Sequence, residues 1–516
     1  MNGFPWITLL TLTPLAGATL ILLTAGKNRN MARVIAVSAS GIALGLTLAL
    51  WHGFNSASGA LQFQERHAWI PTLGVTYHVG IDGLGLLMLL LSAVVVLMSV
   101  ASSWNCREHG PAYFVLVLLL ETGLFGTFTA LNFIHWFLFW ELGLIPAFFL
   151  IRLWGGPLRA RAATQFFVYT MVGSVALLLA FLAIYLATGQ FDFIDLAQLA
   201  HNGQLVPALA QNLHWGHWTS GGIADCIFWA AFLGFAVKIP IMPFHTWLPS
   251  AYAEAPSGTT MLLTGAMSKM GLYGLLRILV PIFPEQMQHS LTLLLWLAVA
   301  SAVLSAFVAW AQTDLKRMFA YSSINHLGYC VLGVLAVLKW TGGSLAGEKA
   351  AALDGVLLGI FNHALTAAAL FWFIAMLEKR SGGLRGLNDF GGLRKVAPVF
   401  CGLMGIAIFS SLGLPGLNGF PGEFLIFKGA FPLVTWATAL SAIGLLITAV
   451  FLLVILERVF LGPLNERWAL LPDLSRGERL AMFPALALMF VLGFYPQIIV
   501  GMVNSAVVQL VSQLRL

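Results

Sequence analysis

Charge is what this sequence has least of. Of its 516 residues, 26 are Lys or Arg and 20 are Asp or Glu. Soluble domains carry roughly 25% charged residues; here the share is 9%, against 59% hydrophobic, and the mean hydropathy is +0.89. A soluble multi-domain enzyme is excluded. Lipid is the solvent that suits such a surface, and within it only helices or closed barrels satisfy the backbone. Barrel strands alternate over about ten residues. The apolar runs here continue for about twenty, which selects helices.

Cysteine is nearly as sparse. Cys106, Cys226, Cys330 and Cys401 stand far apart, with no CxxC and no ligand spacing, so iron–sulfur, zinc-ribbon and c-type haem sites are not expected. No GxGxxG follows a strand, and neither GxxxxGK[ST] nor HExxH occurs, so nucleotide and zinc-hydrolase signatures are lacking too. The N-terminal stretch has no basic n-region or small-residue cleavage site, so no removable signal peptide is expected. The net charge of +6 would suit nucleic acid, but the placement of the basic residues accounts for it without such a partner.

What is present is a series of fourteen hydrophobic spans, near 5–24, 32–51, 82–102, 112–130, 132–153, 163–187, 224–243, 257–279, 291–311, 318–338, 353–378, 398–432, 434–459 and 481–503. Span 12 (398–432) is too long and too interrupted for one straight helix. Longer polar connections fill 52–81 and 188–222. The expectation is one polytopic all-α membrane domain over 1–516. Counting residues near the end of a span with the adjoining connection, 18 of the 26 basic residues fall on the odd-numbered connections, six on the termini and even connections, and two well inside spans. Basic loops stay cytoplasmic, which places both termini outside.

The two basic residues inside spans, and the acids that accompany them, are the informative ones. A charge at the bilayer centre costs about 2.5–3.5 kcal/mol even on the lenient insertion scale. Glu141, in HWFLFWELGLIPAF, lies roughly 14 Å into span 5, and Lys269, in TGAMSKMGLYG, ~18 Å into span 8. Both are near the middle of a core ~30 Å thick. Lys238 precedes Pro240 and Pro243 in span 7; Glu423 follows Pro415, Gly416, Gly419 and Pro421 in span 12. Spans 7 and 12 thus each join a helix break to an ionisable residue, an arrangement suited to holding water or ions at mid-membrane. They are five spans apart, and an odd offset reverses orientation. Two inverted five-helix repeats follow, 112–279 and 291–459, with span 5 corresponding to span 10 and its His326. His363 lies on span 11. Glu121 on span 4 lacks a helix break and fits either the same path or a simple pairing with a neighbour. Tryptophans and phenylalanines are read as lipid-facing or packing residues.

The chemistry open to this set is proton handling. A desolvated lysine loses its proton more readily, while a nearby carboxylate holds the proton on. Histidines titrate near neutrality and suit a relay between such sites. Glu141, Lys238, Lys269, His326 or His363, and Glu423 would form a polar line through the membrane. No motif for an energy source is present, so a partner would have to drive it.

The stretches KIPIMPFHTWLPSAYAEAPSG, SKMGLYGLLR, DLKRMFAYSSINHLGY and GLPGLNGFPGEFLIFKG, with FVYTMVGSVALL and YHVGIDGLGLLMLLL, carry a resemblance along nearly the whole chain. They resemble the antiporter-like, proton-pumping membrane subunits of NADH–quinone oxidoreductase, respiratory complex I. The resemblance implies fourteen helices with two inverted five-helix repeats. It also implies that the family's span 5 glutamate falls on Glu141, its two lysines on Lys238 and Lys269, and its relay histidines on His326 and His363. L- and N-type subunits carry a lysine on span 12 and the M type a glutamate, so Glu423 matches the M type. Ser250 and Tyr252 stand where the family more often has an Asp and a His, which removes a titrating role from that loop. By the same resemblance, this chain would hold no redox centre. NAD, FMN, iron–sulfur clusters and quinone are expected in partner subunits, L-type and N-type subunits are expected as neighbours, and the location would be the bacterial inner membrane. A subunit of a multi-subunit Na⁺/H⁺ antiporter or of an energy-converting hydrogenase is the alternative.

Overall fold

The computed structural model describes residues 4–26, 28–104, 110–213, 215–216 and 218–514; Cys106 lies outside them. Among the described residues, twelve helices are long and apolar enough to cross a membrane. They are Trp6–Ala25, Arg29–Gly53, Gly83–Ser102, Pro111–Thr129, Phe133–Trp154, Arg159–Thr188, Ser220–Lys238, Leu291–Trp310, Leu315–Ala336, Ala346–Ser381, Thr435–Phe460 and Arg476–Phe494. These coincide with expected spans 1–7, 9–11, 13 and 14. Side-chain caps set several starts: Asp82 accepts from Gly85 N, Asn132 from Ile134 N and Asp314 from Arg317 N. Each removes an orphan donor at a helix N-terminus. Spans 3, 4, 10 and 11 are the most enclosed, whereas spans 1, 2, 13 and 14 have mostly outward-facing surfaces.

Expected spans 8 and 12 are helical but interrupted, and the physical reason differs. Span 8 runs as helix from 257 to 282, through two π-helical turns at Leu263–Met267 and Leu275–Leu279 that flank Lys269. Such wide turns redirect side chains within a helix. Span 12 divides into Pro398–Ser411 and Gly419–Ala430. Gly413 and Gly416 between them take left-handed φ values of 80° and 92°, a region that favours glycine. A methyl group on Gly419 would sit 1.9 Å from the Ser410 carbonyl oxygen, so the two halves meet closely.

Span 7 ends at Lys238, as the prolines require. Its freed groups find partners: Ile241 N donates to Ala236 O (2.9 Å), Trp247 Nε1 to Val237 O (2.9 Å) and Met242 N to Ser301 Oγ of span 9 (2.9 Å). A short helix, Trp247–Glu254, then leads into span 8. At the other end of the chain, the expected single span 481–503 is two helices, Arg476–Phe494 and Gln497–Gln513, divided at Tyr495–Pro496.

The all-α expectation needs one correction. The connection 52–81 contains a β-hairpin, β1 (Gln62–Ile70) paired antiparallel with β2 (Val75–Ile81). It ties separate segments together. Glu65 on β1 accepts from the Ile7 and Thr8 amides (2.8 and 3.2 Å), satisfying the start of span 1. His78 on β2 is 2.5 Å from Asp192, which caps a short helix at Phe193–His201. The connection 188–222 is likewise structured, with a further helix at Leu205–Leu213.

The close approach at the span 12 break gives a stability test. Gly419→Ala is expected to lower the unfolding temperature of the detergent-purified protein, at a cost of about 1–3 kcal/mol. Gly41→Ala, where an added methyl meets nothing within 4 Å, should leave that temperature unchanged or raise it. Equal effects of the two substitutions would contradict the packing described.

Candidate functional site

The sequence places six ionisable residues inside different spans, and the folded chain sorts them into two groups. The first group is closed. Lys269 Nζ, fully buried, donates to the Thr264 carbonyl one turn back, to Ser268 Oγ (3.3 Å), and to His363 Nδ1 (2.8 Å). The His363 and His326 rings lie 5.2 Å apart between centroids. His326 Nδ1 is 2.9 Å from Glu423 Oε1, and its Nε2 is 3.3 Å from Ser411 Oγ. A cavity of about 30 Å³ runs along this row, lined by His326, His363, Ser322, Ser411, Asn362 and Glu423. That is room for a water molecule with several polar partners.

Glu423 owes its position to the break in span 12. Asn418, just before the second half-helix, accepts from Ser410 Oγ and donates to the Asn362 carbonyl (3.2 Å). The Asn362 side-chain amide in turn donates to the Asn418 carbonyl. The broken backbone is thereby fastened to span 11, the helix that carries His363. A methyl group on Gly413 would lie 2.9 Å from Glu423 Oε2, so the carboxylate rests directly over that glycine.

The second group is open. Lys238 is 2% exposed, and its Nζ has no hydrogen-bond or ion-pair partner among the described residues. Glu141 Oε1 is also buried and unpartnered, and no ion pair joins the two side chains. Instead, Lys238 Nζ lies over the Trp140 ring, 4.7 Å from its centroid. No hydrogen bond links Lys238 to Lys269 among the described residues, although a methyl group on Gly271 of span 8 would lie 2.9 Å from the Ile239 backbone nitrogen and 3.1 Å from the Lys238 Cβ.

Glu121 stands apart from both groups. It is fully buried, accepts from Ser40 Oγ of span 2 (2.8 Å), and keeps Oε1 unpartnered. Sequence reasoning passed over several residues. Asp354 on span 11 is a buried carboxylate with Oδ1 unpartnered. Asn362, Ser410, Ser411 and Asn418 are neutral and resemble ordinary packing residues. Asp314 and Lys316, at the start of span 10, join an ion-pair cluster. Lys316 pairs with Glu378 (3.2 Å), and Arg385 pairs with Asp314 (2.5 Å) and Glu254 (3.7 Å). The cluster borders an open cavity of about 570 Å³. Clusters of three or more His, Cys, Asp or Glu able to hold a metal are not found among the described residues.

The family described as NADH:quinone oxidoreductase/Mrp antiporter, TM, matches residues 130–450. NADH-quinone oxidoreductase subunit M of Rhodobacter capsulatus is 33% identical over 513 residues, covering 98% of this chain and 96% of that one. The subunit of the same name from Mycobacterium tuberculosis is 32% identical over 542 residues, covering 98% and 94%. Among solved structures, a chain of respiratory complex I from Thermus thermophilus with bound NADH superimposes with TM-score 0.81 at 28% identity, covering 98% of this chain and 99% of that one. A chain of the Mrp complex from Dietzia sp. DQ12-45-1b gives TM-score 0.83 at 20% identity, covering 98% of each, a likeness of fold.

The contrast between the two lysines is measurable. A buried charge without a good partner is often replaced by an apolar side chain at no loss, or with a gain of about 1–4 kcal/mol. Lys238→Met is therefore expected to hold or raise the unfolding temperature. Lys269→Met, which strips three hydrogen bonds, should lower it, at a cost of about 1–3 kcal/mol in stability. If Lys238→Met is the more damaging of the two, the lysine has a partner that the geometry does not reveal.

Proposed function

This chain belongs to the family of NADH-quinone oxidoreductase subunit M, among the NADH:quinone oxidoreductase and Mrp antiporter membrane proteins, and from that premise we propose that it translocates protons within a redox-driven membrane complex. One observation carries the reading: Lys269, His363, His326 and Glu423 stand in a contiguous row inside a helical membrane bundle. Ionisable residues in such surroundings are costly, and packing would be served better by apolar side chains.

The two groups supply the parts of a pump. When Glu141 approaches Lys238, the opposite charges favour a protonated lysine. When it retreats, nothing of opposite charge compensates the ammonium in a low-dielectric site, and the proton is driven off. Lys269 passes charge on through the hydrogen bond it already makes to His363, and the two imidazoles carry it towards Glu423. Glu141 and Glu423 both keep part of their surface exposed, so a charge on an adjoining subunit can act on either end. L-type and N-type subunits are the proposed neighbours. The chain itself contributes no redox centre; NAD, FMN, iron–sulfur clusters and quinone belong to partners in this reading.

The proposed repeats, 112–279 and 291–459, are supported by equivalent packing. Span 4 lies on 5, 5 on 6 and 6 on 7, as 9 lies on 10, 10 on 11 and 11 on 12. The proposed setting is a bacterial cytoplasmic membrane with both termini on its outer side, supported by the 18 of 26 basic residues on one set of connections. Glu121 is proposed as a secondary proton site; its unpartnered Oε1 supports the reading.

Lys238→Ala and Glu141→Ala are expected to leave the complex assembled and reducing quinone while losing most of its proton uptake, measured as proton-to-electron ratio in reconstituted vesicles. Undiminished ratios in both variants would refute the proposal. Na⁺-dependent proton exchange by vesicles with no electron donor would favour an antiporter subunit. Loss of assembly in every such variant would favour a structural role.

A further inference from the structure

An ammonium group buried with neither hydrogen bond nor ion pair should not sit still beside an arbitrary neighbour, and Lys238 does not. The group over which it lies is an indole held from three sides. Trp140 is 1% exposed. Its Nε1 donates to Ser174 Oγ on span 6 (3.0 Å), its ring stacks on Trp136 (centroids 4.7 Å, 29°), and Phe235 of span 7 meets it edge-on (5.9 Å, 86°). The hydrogen bond fixes the plane, the stack and the edge contact fix the tilt, and the ring lies under Lys238 Nζ. Indole is the best of the natural π faces for a cation, and the attraction grows when water is excluded.

Sequence adjacency adds the second part. Trp140 and Glu141 are consecutive on one helix, about 100° apart around its axis. A lysine opposite that helix reaches the ring or the carboxylate by a small movement, and turning to one takes it from the other. We propose that Trp140 is the alternative partner of Lys238, a positioning residue that holds the charged lysine while Glu141 is away. The lysine then exchanges between a carboxylate and a π face, and the face sets how readily the separated state keeps its proton. This inference rests on the proton-translocating reading above, and assigns a role within it to a side chain that otherwise looks like packing.

The test separates electrostatics from shape. Fluorine substituents on tryptophan withdraw density from the π face with little change in size, so site-specific incorporation of mono-, di- and trifluorotryptophan at position 140 grades the attraction alone. In the assembled complex in vesicles, proton uptake per electron should change stepwise along the series, on the order of two- to fivefold overall. Trp140→Phe should fall within that range and Trp140→Leu beyond it. A trifluoro form equal to the unsubstituted protein would overturn the proposal, whether or not Trp140→Leu assembles. A second readout needs no turnover: the ¹⁹F resonance of 5-fluorotryptophan at position 140 should shift on Lys238→Met in the resting complex. An unmoved resonance would overturn the contact itself. A moved resonance in a complex that does not pump would uphold the contact and remove the functional reading on which it was built.

Discussion

Within hydrocarbon no water is available to complete a broken hydrogen-bond ladder, so each interruption of a helix must find its partners elsewhere in the chain. Much of this structure follows from how two such interruptions are met. The end of span 7 hands its freed groups to Ser301, to the Trp247 indole and to a nearby carbonyl. The break in span 12 is stitched to span 11 through Asn418 and Asn362. Both repairs bring an ionisable residue to the break and fix the height at which it sits. Lys238 and Glu423 are placed by backbone satisfaction before any chemistry is considered.

The two breaks end in different electrostatic states. At span 12 the ionisable residue is bonded to His326, which leads through His363 to Lys269. At span 7 the lysine and the glutamate on its neighbouring helix are unpaired, and an aromatic face takes the place of a counter-charge. A chain with both sides closed would have little reason to move a charge. One with both sides open would bear two uncompensated groups in a medium where each is expensive. A closed relay beside an open pair is an arrangement that can be driven, and the small cavity along the relay leaves room for a water molecule.

Much of the bundle was legible in the sequence because the governing signals are local. Runs of about twenty apolar residues and the prolines that interrupt them are properties of short stretches, and most of the helices fall where they predict. The hairpin was not legible. Its anchors come from distant segments: Glu65 binds the start of span 1, and His78 binds Asp192 beyond span 6. The division of the last span at Tyr495–Pro496 was missed although a proline marks it, because the apolar run continues across the break.

The candidate site shows the same division. Composition and cost alone singled out Glu141, Lys238, Lys269, His326, His363 and Glu423, because an ionisable residue in an apolar run is conspicuous wherever it occurs. Sequence could not say which of them touch. Contacts between residues nearly a hundred positions apart, such as Lys269 with His363, depend on how helices rotate and cross, which packing decides. Nor could it separate Trp140 from the other sixteen tryptophans. An apolar ring reads as packing until a neighbouring helix brings a cation over it. The sequence by itself determined that charge would be rare, where it would stand along the chain and on which spans; tertiary structure decided which charges are joined and which are left apart, because low-dielectric electrostatics depends on distance and orientation.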